Sequence, residues 1–134
     1  MAWKSSENIK WGILGCAAIA EKSLIPAFKK AQGAELVAIA SRSAAKARDW
    51  AEKFNLPESY GSYEDLLADK EIEAVYIPLP NHLHFEWTVK ALRAGKHVLC
   101  EKPLALTASQ VMEMFDEARA NKRQLMEAFM YRFH

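Results

Sequence analysis

Short apolar runs alternate along the chain with longer stretches in which apolar residues recur every three or four positions. Lys10-Trp11-Gly12-Ile13-Leu14-Gly15 predicts a buried strand closed by a glycine. Ile19 to Gln32 has helical spacing, and Pro26 inside it allows a later start near Leu24. Glu35 to Ala40 predicts a second strand. Ser43 to Phe54 is a helix opened by a serine cap. Asn55 to Gly61 is a turn region with at most a short strand near Tyr60, and Ser62 to Ala68 is a short helix. Glu73 to Ile77 is a strand stopped by Pro78 and Pro80. Leu83 to Ala94 is a helix with Gly95 as its C-terminal stop. His97 to Cys100 is a strand, Thr107 to Asn121 a helix with Thr107 as cap, and Gln124 to Ala128 a last strand.

Strands that alternate with helices at this spacing predict an α/β fold, a doubly wound parallel sheet with helices on both faces. The strands are continuously apolar, as strands covered on both sides are. No internal linker, repeat or low-complexity segment divides the chain. One domain is expected over residues 9–134, preceded by a flexible polar arm over residues 1–8 that carries Trp3.

Composition narrows the function. The 134 residues are 51% hydrophobic and 26% charged, and 18 Lys and Arg face 17 Asp and Glu, for a net charge of +1. No basic excess points to nucleic acid, and the apolar content argues against disorder. No apolar run approaches the ~18 residues of a membrane span, and Met1 to Lys10 lacks a signal-peptide core. Cys16 and Cys100 are far apart and outside any CxxC spacing, which fits reduced thiols in a cytoplasmic protein.

Four segments carry candidate chemistry. Gly15-Cys16-Ala17-Ala18-Ile19-Ala20 follows the first strand and has the spacing of a GxGxxG turn, with alanine at the second and third glycine positions. Such a turn needs a tight bend at Gly15, a small residue where backbone nears a pyrophosphate, and a small residue where helix meets strand. The phosphates would rest on free N–H groups at the helix start. The methyl group of Ala17 presses against that approach, and a plain strand-to-helix turn is the competing reading. At the tip of the second strand stand Ser41, Arg42 and, one turn on, Lys46, with no carboxylate. An NAD site places Asp or Glu there to hold the ribose 2′-hydroxyl. A hydroxyl and two cations suit a 2′-phosphate instead, so NADP is the expected cofactor.

Pro78-Leu79-Pro80-Asn81-His82-Leu83-His84 lies past the carboxyl end of a strand, where open α/β sheets bind ligands. Asn81 is expected to cap the next helix and face the cofactor. Two histidines without a carboxylate or cysteine nearby make a poor zinc site, so no metal is expected, and at least one of the pair is expected to be structural. Cys100-Glu101-Lys102-Pro103 occupies the matching place after the fifth strand. Lys102 is the candidate catalytic residue, able to donate to a substrate hydroxyl or move a proton as hydride transfers, with Glu101 positioning it. An ion pair at the sheet rim is the bland alternative.

Together these segments resemble the glucose–fructose oxidoreductase / inositol dehydrogenase (Gfo/Idh/MocA) family. The resemblance is carried by Gly12 to Ala20, Ala40 to Ser43, Pro78 to His84, Glu101-Lys102-Pro103-Leu104-Ala105 and the tail Glu127 to His134. It runs from about Ile9 onward, and Glu-Lys-Pro is its most specific part. It is nearest to the NADP-dependent branch of xylose dehydrogenases, glucose–fructose oxidoreductase and dihydrodiol dehydrogenases. The resemblance implies a Rossmann-type cofactor domain followed by a C-terminal α+β domain, and sugar, polyol or diol substrates. It also implies that Lys102 lies beside nicotinamide and substrate, that Ser41 and Arg42 hold the 2′-phosphate, and that Arg132 lies near the nicotinamide. Leu79, Asn81, His84 and Glu101 are carried over as cofactor-side residues. The sequence stops at His134, before the expected second domain and its catalytic histidine, so a cofactor-binding module with little or no turnover is expected.

Two other readings remain at this point. One is a self-associating structural module, a homodimer or larger, whose apolar surface includes Phe129, Met130, Tyr131, Phe133 and a rim near Trp87. The other is a flavodoxin-like or S-adenosylmethionine-binding domain, which leaves Ser41, Arg42 and Lys102 without a task.

Overall fold

A computed structural model describes residues 8–128. The expected arm, Arg132 and the aromatic tail lie outside the described residues.

Six strands form one parallel sheet in the order β3-β2-β1-β4-β5-β6. They are β1 (Ile9–Leu14), β2 (Ala34–Ala40), β3 (Glu58–Tyr60), β4 (Ala74–Ile77), β5 (His97–Glu101) and β6 (Leu125–Ala128). Five α-helices connect them: α1 (Ile25–Lys30), α2 (Ala44–Phe54), α3 (Tyr63–Leu67), α4 (His84–Arg93) and α5 (Ala108–Ala120). The strand order reverses between β1 and β4, whose register runs Trp11 to Ala74, Gly12 to Val75 and Ile13 to Tyr76. That reversal opens a crevice at the carboxyl ends of the two strands. This is the doubly wound sheet that the alternating pattern predicts.

Strand periodicity sorts the core into two layers. Leu14, Ala38, Ala40, Val75, Ile77, Val98 and Cys100 point to one face, under Leu66 of α3, Leu92 of α4 and Met114 of α5. Ile13, Ile39 and Tyr76 point to the other, under Ile25 of α1 and Ala51 of α2. Fully burying one such aliphatic chain stabilises the fold by about 1.5–3 kcal/mol. Trp50 and Phe54 form an edge-on pair at 5.5 Å, packed against the second layer. Trp87, expected at an exposed rim, is instead buried and meets Tyr63 edge-on at 5.0 Å. Its ring belongs to the interior because α4 turns that side towards α3.

Local signals decide most of the boundaries. Ser43 and Thr107 cap α2 and α5 by accepting from the backbone N–H of Lys46 and Gln110 at 3.2 and 3.1 Å. Gly95 ends α4 with φ of 84°. The helix after β1 differs from a plain α-helix. Its segment Ala20–Leu24 is π-helical, and α1 proper starts at Ile25 with Pro26 in its first turn. Pro26 cannot donate and its ring crowds the preceding turn, and a widened turn just before it relieves both problems. Asn81 does not cap α4: Asn81–Leu83 is a 3-10 turn that enters the helix without a side-chain cap. No helix among the described residues is long and apolar enough to cross a membrane.

The Tyr60 hydroxyl on β3 donates to the Asp69 carboxylate in the loop before β4. This bond is the main cause that holds the Asp69 carboxyl below its ordinary range. A carboxylate lowered in the folded state stabilises above the unfolded value, and that contribution is lost as pH falls through the folded value. Tyr60→Phe is therefore expected to reduce the drop in urea midpoint between about pH 6 and pH 2. An unchanged drop would show that the bond contributes nothing.

Candidate functional site

The crevice at the carboxyl ends of β1, β2 and β4 is a cleft of about 610 Å³. Gly15, Cys16 and Ala17 form its floor. Ser41, Arg42, Ser43 and Lys46 form one wall, and Pro78, Leu79 and Pro80 form the opposite lip, with Tyr63 between them. Residues as far as 65 positions apart in sequence thus converge because three strands end side by side.

The glycine turn has the geometry its spacing predicts. Gly15 has φ of 113°, a conformation that side chains rarely adopt. A Cβ there would also stand 2.8 Å from a terminal methyl of Leu79. The Gly15 N–H is bonded to the Ala40 carbonyl at 2.9 Å, which ties the turn to the tip of β2. The helix then begins with Ala20 and Glu21 donating to the Ala17 carbonyl at 3.0 and 3.3 Å. The amides ahead of them are the free donors that a helix start presents to an anion. Ala18 is exposed, and Cys16, Ala17 and Ile19 are half-buried.

The β2 tip gathers a hydroxyl and two cations. Ser41 is nearly buried, and its hydroxyl oxygen accepts the Ser43 N–H at 3.1 Å. The same side chain also hydrogen-bonds to the Cys16 sulfur, which favours the thiolate. Arg42 and Lys46 are exposed beside it, Lys46 in the first turn of α2. Among the described residues, no carboxylate lines the cleft. Arg42 acts on Tyr63, partly opposing the burial that raises its hydroxyl pKa. Tyr63 escapes sequence reasoning: it reads as an ordinary apolar position of a one-turn helix, and only the strand order brings it to the cleft.

Cys16 is raised above the ordinary thiol value by burial, which Lys46 partly offsets. Cys100 is fully buried and pushed up to about 12 for the same first reason. Cys16 is therefore expected to react slowly with a maleimide and Cys100 only on unfolding, as mass spectrometry of labelled peptides would show. Labelling of native Cys100 at the rate of Cys16 would contradict this burial.

The β5 exit carries the second cluster. Glu101 is half-buried and Lys102 and Pro103 are exposed. The described ion pairs do not join Glu101 to Lys102. Glu101 instead accepts from the hydroxyl of Tyr76, which is fully buried in the sheet. That bond and burial both raise the tyrosine pKa, burial most. Glu127 of β6 accepts the Leu104 N–H at 2.7 Å, so the segment is also held on its far side. Glu101 and Lys102 stand on the same end of the sheet as the cleft without lining it, and exposed Asn81 is outside it too.

His84 is carried over as a cofactor-side residue, but its side chain has no exposed surface, as the alternative of a structural histidine has it. Nε2 is 2.6 Å from the Leu79 carbonyl oxygen and Nδ1 is 2.7 Å from that of Pro103. It stands behind the cleft and touches both of the loops that face it. No group of three His, Cys, Asp or Glu residues able to hold a metal occurs among the described residues.

Comparison with known proteins identifies the family and the fold. The family model described as "Oxidoreductase family, NAD-binding Rossmann fold", Gfo/Idh/MocA, matches residues 9–129. D-xylose 1-dehydrogenase (NADP(+)) 2 of Haloferax volcanii is 52% identical over 124 residues, 92% of this chain and 38% of that protein. The dTDP-3,4-didehydro-2,6-dideoxy-alpha-D-glucose 3-reductase of Streptomyces violaceoruber is 44% identical, over 94% of this chain and 36% of its own length. Among solved structures, KijD10, a 3-ketoreductase from Actinomadura kijaniata in complex with TDP-benzene and NADP, superposes with a TM-score of 0.88. It is 43% identical, over 92% of this chain and 39% of that one. The chain thus spans less than two-fifths of the length of these relatives.

Proposed function

Because the chain belongs to the oxidoreductase family with the NAD-binding Rossmann fold, we propose that its cleft binds NADP(H) as the cofactor-binding part of an oxidoreductase acting on sugars, polyols or related diols. The observation that carries the cofactor choice is the β2 tip, where Ser41, Arg42 and Lys46 line the cleft with no carboxylate among the described residues. A 2′-phosphate is stabilised there by a two-pronged guanidinium and an ammonium, whereas a bare 2′-hydroxyl lacks the acceptor it prefers. The pyrophosphate lies on the amides of Cys16 to Ile19, and Leu79 closes over it. Relatives named for NADP and for sugar substrates support the reading.

When bound, the nicotinamide supplies a site that gives or takes hydride. The residues of the chain bind, orient and move protons around it. Lys102 donates to the substrate oxygen and exchanges its proton as the carbon–oxygen bond order changes. Glu101, held by Tyr76, sets the direction in which the strand releases Lys102.

Titration of the chain with NADPH and with NADH, followed by energy transfer from tryptophan to the nicotinamide, tests the proposal. Saturable binding with a preference for NADPH is expected. Binding of neither removes the cofactor reading, and a preference for NADH removes the assigned role of Ser41 and Arg42. NADPH is also expected to slow maleimide labelling of Cys16, which lines the cleft.

A second reading, self-association as a homodimer, is favoured by one observation. Met126 on the edge strand β6 is 63% exposed and pairs in register with Leu99, which leaves apolar sheet surface open. Light scattering that gives a dimer mass supports it, and a monomer mass at high concentration opposes it.

A further inference from the structure

The Leu79 lip and the Lys102 segment leave different strands, β4 and β5. His84, the first residue of α4, hydrogen-bonds to both: Nε2 at 2.6 Å from the Leu79 carbonyl oxygen and Nδ1 at 2.7 Å from the Pro103 carbonyl oxygen. A carbonyl oxygen only accepts. Each ring nitrogen at these distances must therefore carry a hydrogen. A neutral imidazole has one N–H, and its other nitrogen would turn a lone pair towards an oxygen lone pair. Only the imidazolium form donates on both sides, and charge-assisted bonds of this kind are the short, strong ones. The ring has no exposed surface, so these two carbonyls replace the water it has lost.

We infer that His84 is a buried imidazolium strap that fixes the spacing between the Leu79 lip and Lys102, and so seats the nicotinamide half of the cofactor. It is a positioning residue, since Leu79 lines the cleft while the ring itself stands behind it. The Lys102 segment is then held at three points: Glu101 by Tyr76, Pro103 by His84, and Leu104 by Glu127. The adenosine 2′-phosphate is held elsewhere, at the β2 tip. The inference rests on the NADP(H) reading for its consequence, but its chemical core does not depend on it.

Two measurements on the 134-residue chain test it. The first compares NADPH with adenosine 2′,5′-bisphosphate as ligands of the wild-type chain and of His84→Gln, which keeps a single donor group. NADPH binding is expected to weaken roughly tenfold, within the usual range for coupling between sites. Binding of the bisphosphate is expected to change little. Equal weakening of both ligands, or of neither, overturns the positioning role. The second is nitrogen NMR of the wild-type histidine ring, which needs no variant to fold. Two protonated ring nitrogens support the strap, and one bare nitrogen overturns it. A wild-type chain that binds neither ligand contradicts the NADP(H) reading and the seating role, while the ring spectrum still decides the charge state.

Discussion

Replacing Arg42 with alanine is expected to weaken NADPH binding by between about ten- and a hundredfold and to leave NADH binding nearly unchanged. A hydrogen bond to a charged partner contributes about 1.5–3 kcal/mol, and each 1.4 kcal/mol is tenfold in affinity. Arg42 is exposed at the mouth of the cleft, on the same wall as Ser41 and Lys46. Its guanidinium has no role in the core, so the variant should keep the wild-type urea midpoint. The selectivity ratio, measured by titration with both cofactors, is the informative quantity. An unchanged ratio would place the 2′-phosphate on other residues. Lys46→Ala should move the ratio in the same direction but less, because an ammonium meets phosphate as a single point charge.

The second large effect is expected at Gly15. Gly15→Ala forces a Cβ into a backbone at φ of 113° and to 2.8 Å from a Leu79 methyl. Holding an ordinary residue in such a conformation costs about 1–3 kcal/mol. The Leu79 side chain can rotate away, but it is nearly buried and forms the lip of the cleft. Both the urea midpoint and NADPH affinity should therefore fall. Gly33 provides the control. It has φ of 83° and open space around its Cα, well away from the cleft. Gly33→Ala should lower the midpoint and spare the affinity. Equal loss of affinity in both variants would mean that stability alone, rather than the turn, limits binding.

The architecture was legible because each element carries a local signal. Ile13 and Leu14 are buried on opposite faces, and Ser43 and Thr107 cap helices through bonds three residues long. Such features depend on neighbours in the sequence. The cleft was legible at Gly15, Ser41, Arg42 and Lys46 for the same reason, since a turn and a strand tip are local objects. The remaining features depend on partners that only the fold brings close. Tyr63 reaches the cleft because β1 separates β2 from β4 in the sheet. Glu101 reads as a partner for adjacent Lys102, yet the buried hydroxyl 25 positions earlier captures it. His84 reads as a cofactor contact because it follows a loop at a strand end. Its bond to the Pro103 carbonyl, 19 residues away, turns the ring inward instead. Pro26 signalled a disturbed helix, although the form of the disturbance, a π-helical turn over Ala20–Leu24, depends on how the chain docks on β1.

These particulars share a physical basis. Backbone and capping preferences act within a few residues, whereas buried polar side chains are satisfied by whatever the fold places beside them. Tyr76 and His84 are of the second kind, and with half-buried Glu127 they hold the β5 exit. The glycine turn and β2 tip are therefore local and readable, while the β5 exit is assembled from distant contacts.

The central claim is that the β2 tip holds the 2′-phosphate of NADP(H) while the amides of the glycine turn hold the pyrophosphate. A crystal structure of the chain grown with NADP tests it most directly. The account predicts 2′-phosphate oxygens within hydrogen-bond distance of Arg42 and the Ser41 hydroxyl, with the pyrophosphate against the amides of residues 16–19. A dinucleotide bound with its 2′-phosphate away from Ser41, Arg42 and Lys46, or lying outside the cleft between Gly15 and Leu79, would contradict it.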